Sequence, residues 1–182
     1  MGAGVVFPAA DDATNKLCPI DGGRRYMVKG QTDLKETFAC AAQVGSSGYA
    51  RMGEALAYAV QPWMNEPGAC NDGFLREDAL LMVTQIANTY DSEGGAPCSQ
   101  EGNPDTWTAA VRDAKHGDLE SIVMLSILRA YPECEWPDRT CEMVKKFPYH
   151  LLADRDELDY SPFFDQASDL VATACAEFIP PG

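Results

Sequence analysis

Ala79-Leu80-Leu81-Met82-Val83-Thr84-Gln85-Ile86-Ala87 and Ser121-Ile122-Val123-Met124-Leu125-Ser126-Ile127-Leu128 decide the fold. Each is an apolar run of strand length, too short to cross a bilayer and lacking the apolar–polar alternation of a half-solvated strand. Runs of this kind belong to parallel strands covered on both faces. The first reads as a strand from the middle of the sheet, and the two read as neighbours. Between them lies Pro104 to Lys115, a helix opened by proline and closed by His116-Gly117, which suits a glycine C-cap.

Working outward, Gly4 to Pro8 and Arg24 to Lys29 read as short strands. Thr32 or Asp33 can cap a helix to about Val44, with Leu34, Phe38 and Ala41 on one face. Arg51 to Met64 reads as a second helix, its stripe formed by Met52, Leu56, Ala59, Val60 and Trp63. Helices are expected around Cys141 to Phe147 and over Pro162 to Phe178. Strands alternating with helices predict an α/β fold, a three-layer and mostly parallel central sheet with helices on both faces. Residues 1–182 show no repeat or linker and read as a single domain.

The 182 residues carry 28 acidic against 14 basic side chains, a net charge of −14. No basic face is visible to meet a phosphate backbone, so nucleic acid is not an expected partner. No apolar run reaches membrane-span length. The seven cysteines, Cys18, Cys40, Cys70, Cys98, Cys134, Cys141 and Cys175, form no Cys-x-x-Cys pair and flank no histidine, which argues against zinc. Scattered singly among glycine, proline and asparagine, they read as disulfide ends, and hence as a periplasmic or extracellular protein. Seven is odd, so one thiol is left free or pairs with another chain, and Cys175, on an expected helix, is the candidate. No signal sequence is visible at Met1 to Phe7.

Phe38-Ala39-Cys40-Ala41-Ala42-Gln43-Val44-Gly45, Glu54-Ala55-Leu56, Asn71-Asp72-Gly73-Phe74-Leu75-Arg76-Glu77-Asp78-Ala79-Leu80-Leu81 and Asp159-Tyr160-Ser161-Pro162-Phe163-Phe164 follow one another in an order that resembles a von Willebrand factor A-type domain of bacterial exported proteins. The resemblance implies a protein-binding module with a divalent-ion site. It also implies an N-terminally incomplete version. The family's first strand, with Asp-x-Ser-x-Ser, is missing; Ala50 stands where a metal-binding Thr is expected, and Asn88 where an Asp follows the central strand. Such a module has a degenerate ion site and acts through protein contacts. Its sheet would lack a middle strand, so Gly4–Pro8 and Ala79–Ala87 would pair directly, or a second copy would complete the sheet as a homodimer.

The loop beyond 79–87 lies where open α/β sheets bind ligands, which makes Asn88, Asp91 and Glu93, with Ser47 of Gly45-Ser46-Ser47-Gly48, the expected ligand-binding set. Asp154-Arg155-Asp156-Glu157-Leu158-Asp159 gathers four carboxylates in six residues. Asp154, Asp156 and Glu157, with Asp91, form the expected metal set, and calcium is the ion that charged oxygens suit. On the alternative reading those acids hold calcium and activate water in a small hydrolase of esters or lactones. A nucleophilic triad could draw on Ser47, Ser92 or Ser126 with His116 or His150, but no Gly-x-Ser-x-Gly elbow marks one.

Overall fold

A computed structural model describes residues 17–43, 51–87, 91, 103–129, 134 and 138–180. The expected strand Gly4–Pro8 lies outside them. The elements run α1 (Leu34–Ala42), α2 (Met52–Ala59), α3 (Pro62–Asn65), β1 (Leu81–Ile86), α4 (Pro104–Asp113), β2 (Ile122–Leu128), α5 (Arg139–Val144), β3 (Tyr149–Asp154) and α6 (Ser161–Glu177). Contacts divide the chain into two compact units, residues 1–48 with 63–74 and residues 49–62 with 75–182.

In the smaller unit, the Cys18–Cys40 disulfide ties the entering chain to α1. The buried amide of Gln31 is fully used. Its nitrogen donates to Pro19 O and Thr32 O, and its oxygen accepts from Asp21 N at 3.1 Å. Asp33 holds the N-cap position of α1 with φ 48°, but its side chain makes no cap bond. The expected strand Arg24–Lys29 is not a strand. Glycines with positive φ bracket it (Gly22, Gly23 and Gly30), and Tyr26 is committed elsewhere, its ring 5.4 Å from Phe74 and its hydroxyl donating to Asp72 O. Leu34 and Phe38 of α1 are exposed rather than forming a buried face.

The larger unit holds the sheet. Its three described strands are parallel in the order β1-β2-β3, with Leu81 opposite Ile122 and Leu125 opposite Leu151. The two deciding segments are therefore neighbours, as expected. Their places differ from the expectation: among the described residues β2 is central and β1 lies at an edge. Composition explains this. β2 is buried at every position, whereas β1 carries Thr84 and Gln85 and alternates in exposure.

Alternation along the strands separates two cores. Ile122 and Met124 face α2, α4 and α5 through Val60, Trp107, Val111, Met143, Val144 and Phe147. Val123, Leu125 and Ile127 face Phe163, Ala167 and Ala174 of α6. Helices thus cover both faces, the α/β architecture expected. β3 was not expected; Leu151, Leu152 and Ala153 carry little strand preference, and it forms because β2 offers a second ladder edge.

Local chemistry sets the boundaries. The predicted helix 51–64 divides because Pro62 has no N–H and disfavours helical geometry at Gln61, so the chain stops and restarts as α3. Asn103 caps α4 through Asp105 N and Thr106 N, and Thr106 reciprocates. After α4, Lys115 buries its ammonium and donates to Arg76 O, Glu77 O and Ala79 O at 2.7–3.2 Å. All three donors are satisfied. Burial holds this lysine below its ordinary pKa, against the pull of Asp118, Asp78 and Glu77.

Close packing concentrates at Gly53, where an added Cβ would stand 2.2 Å from Cε3 of Trp107. Gly53→Ala would gain roughly 1 kcal/mol of helix propensity, but the indole is buried in the core and has no room to yield. We expect a net loss of about 1–2 kcal/mol in urea unfolding. A stabilised variant would show that the ring can move.

Candidate functional site

Three parallel strands place their carboxyl ends at one rim. Asp91, just past β1, is 2% exposed and its Oδ2 accepts from Gly53 N at 2.9 Å. Gly53 lies in the first turn of α2, where N–H groups have no intrahelical partner, and the formal N-cap Arg51 supplies no side-chain bond. Asp91 therefore caps α2 from a distant part of the chain.

A second buried acid, Asp138, opens α5, and its Oδ1 accepts from Thr140 N at 3.0 Å and Cys141 N at 3.3 Å. The Cys134–Cys141 disulfide fastens this turn. Sequence reading overlooked Asp138, although an Asp directly before a helical segment is the ordinary N-cap signal. Among the described residues its Oδ2 has no hydrogen-bond partner, and neither have Oγ1 of Thr140 and Nε1 of Trp107.

Both acids sit above the usual carboxylate range. For Asp91, burial is the largest cause; the Gly53 bond opposes it, Asp138 and Glu54 add to it, and Arg139 works against it. For Asp138, burial again leads, opposed by the bonds from Cys141 and Thr140, with Glu142 adding to it. Desolvation outweighs the helix-terminal bonds at both sites.

Of the other expected site residues only some are described. Asn88, Glu93 and Ser47 lie outside the described residues. Asp154 ends β3, where its Oδ1 accepts from Asp156 N, while Asp156 and Glu157 are exposed. Among the described residues, no three His, Cys, Asp or Glu side chains form a group that could hold a metal ion. Ser126 is wholly buried and donates to Gln85 Oε1. His116 lies exposed against Glu77, and Nδ1 of His150 is 2.6 Å from Phe147 O, so neither histidine serves Ser126. Cys175 is a free thiol, as expected, and so is Cys70.

Among the described residues, two surfaces of the sheet are open. On the face that α6 covers, β1 presents Met82 and Ile86, 55% and 68% exposed, opposite Val123 and Ile127. Beyond β3, a groove of about 490 Å³ is lined by the strand's end, the 154–160 turn and the start of α6.

The chain matches no family model, no curated protein and no solved structure.

Because the folded state holds Asp91 above its ordinary pKa, the group's contribution to stability is complete below the unfolded pKa of about 4. It is lost as pH rises through the folded value. Asp91→Asn keeps an acceptor for Gly53 N without the charge. Calorimetry across pH should show it more stable than the parent at pH 7, with the gain fading toward pH 4. Asp91→Ala orphans Gly53 N–H and should cost about 1–3 kcal/mol at acid pH. An Asn variant less stable at neutral pH would show that the ionised carboxylate is favoured there, against the expected direction.

Proposed function

We propose that the chain is a protein-binding module of an exported protein, resembling a von Willebrand factor A-type domain with a degenerate ion site and acting by contact rather than catalysis. The observation that supports this most is the side of β1 that carries no strand among the described residues. The sheet's main chain follows parallel alternation: Leu81 N and Ala87 N donate to Ser121 O and Ile127 O of the β2 segment. Met82, Thr84 and Ile86 therefore turn their main chain outward. Met82 and Ile86 lie next to that edge on one face, an apolar strip beside a ladder edge that no described strand pairs. A strand from a second polypeptide would satisfy both. The two disulfides accord with an oxidising compartment.

A photo-crosslinking benzoylphenylalanine at position 86 should capture a polypeptide in the producing cell's exported fraction; an adduct of twice the chain's mass identifies a second copy. Ile86→Asp should abolish capture by a crosslinker at position 84 while changing stability by no more than about 0.5 kcal/mol, since the side chain is exposed. Absence of any adduct would overturn the reading. So would chelator-sensitive hydrolysis of simple esters, which would favour the calcium-assisted hydrolase. On the proposed reading, calcium leaves the unfolding temperature unchanged.

A further inference from the structure

We infer that the outer edge of β3 is a second binding surface, one that takes an extended, positively charged peptide as an added strand. The groove there is lined by Leu151, Leu152, Ala153 and Asp154 in succession. Side chains of a strand alternate between faces, so four consecutive residues can share one groove only along the strand's edge.

Among the described residues nothing pairs with the main chain at that edge. Arg155 N donates to Leu128 O, which fixes the alternation: Leu151, Ala153 and Arg155 turn their N–H and C=O toward β2. His150 and Leu152 turn theirs outward. Among the described residues β3 has a ladder partner on one side alone.

Side chains then select the occupant. Leu151 and Ala153 lie on the face packed by Phe163, and with Pro162 they give an apolar floor. At the carboxyl end of β3 the lining changes to Asp154, Glu157 and Asp159, with no lysine or arginine among the lining residues. The nearest cation in sequence, Arg155, is engaged by Asp156 at 3.4 Å. A peptide strand seated here would lay an apolar side chain over Leu151, Ala153 and Phe163 and bring a lysine or arginine to the three carboxylates. A second copy of this chain, with net charge −14, is the poorer match. This surface shares with the β1 reading only the premise that the chain works by protein contact.

The test uses the intact chain and a fluorescein-labelled octapeptide alternating valine and lysine. Three companions accompany it: a valine–glutamate peptide, a scrambled peptide of the same composition, and a valine–lysine peptide N-methylated at alternate residues. Fluorescence anisotropy should show saturable binding of the first, none of the valine–glutamate peptide, and none of the peptide whose methylated edge faces β3. Glu157→Lys replaces an exposed side chain and should weaken binding about two- to fivefold, the range of exposed ion pairs. Hydrogen exchange should slow at Leu152 N–H on binding. Equal affinity for the methylated and unmethylated peptides would mean diffuse attraction to an acidic surface and would overturn the inference, as would protection confined to β1. Because the readout is at β3, Ile86→Asp should leave peptide binding unchanged; its loss in that variant would also overturn the inference.

Discussion

The burial of β2 on both faces is the constraint from which the rest of the larger unit follows. Ile122 and Met124 require one helical layer, and Val123, Leu125 and Ile127 require another. Each such side chain contributes about 1.5–3 kcal/mol when withdrawn from water, so neither layer is dispensable. A strand so placed must also satisfy its main chain on two sides, which fixes β1 and β3 beside it in parallel. Parallel strands put their carboxyl ends together. The loops bearing Asp91, Asp138 and Asp154 therefore meet one rim for reasons unrelated to their own chemistry.

At that rim, helix-end bonding and desolvation act in opposite directions on the same groups. Asp91 and Asp138 each accept main-chain N–H groups from a first turn, an arrangement that favours the ionised form. Both are nevertheless held toward protonation because little solvent reaches them. The acids are thus structural caps that carry an electrostatic cost. Oδ2 of Asp138 finds no hydrogen-bond partner among the described residues, consistent with a cost that the two helix-end bonds do not remove.

The sequence makes the larger unit legible in proportion to its apolar runs. Residues 79–87 and 121–128 announce neighbouring parallel strands because nothing else suits their composition. Which of the two is central among the described strands turns on Thr84 and Gln85, two polar positions in a run of Leu, Met, Val and Ile. β3 is nearly silent in sequence: Tyr149 to Asp154 has a helix-neutral composition, and its strand exists only because β2 has a free edge. The place of Asp91 past a strand was legible, but its part as the cap of α2 was not. Nor was its partner Gly53, since a contact spanning 38 residues leaves no local trace. Arg24 to Lys29 shows the converse, a plausible strand pattern with no ladder to join.

Lys115 has a consequence beyond satisfying three carbonyls. It stands after α4, and the carbonyls it grips belong to the turn entering β1. The end of the crossover helix and the start of the strand before it are thus stapled by one ammonium. Neither can peel away alone without stranding a buried charge or three bare carbonyls. The β1–α4 segment should therefore open as one cooperative piece, and the reactivity of this amine toward acylating reagents would measure how often it does.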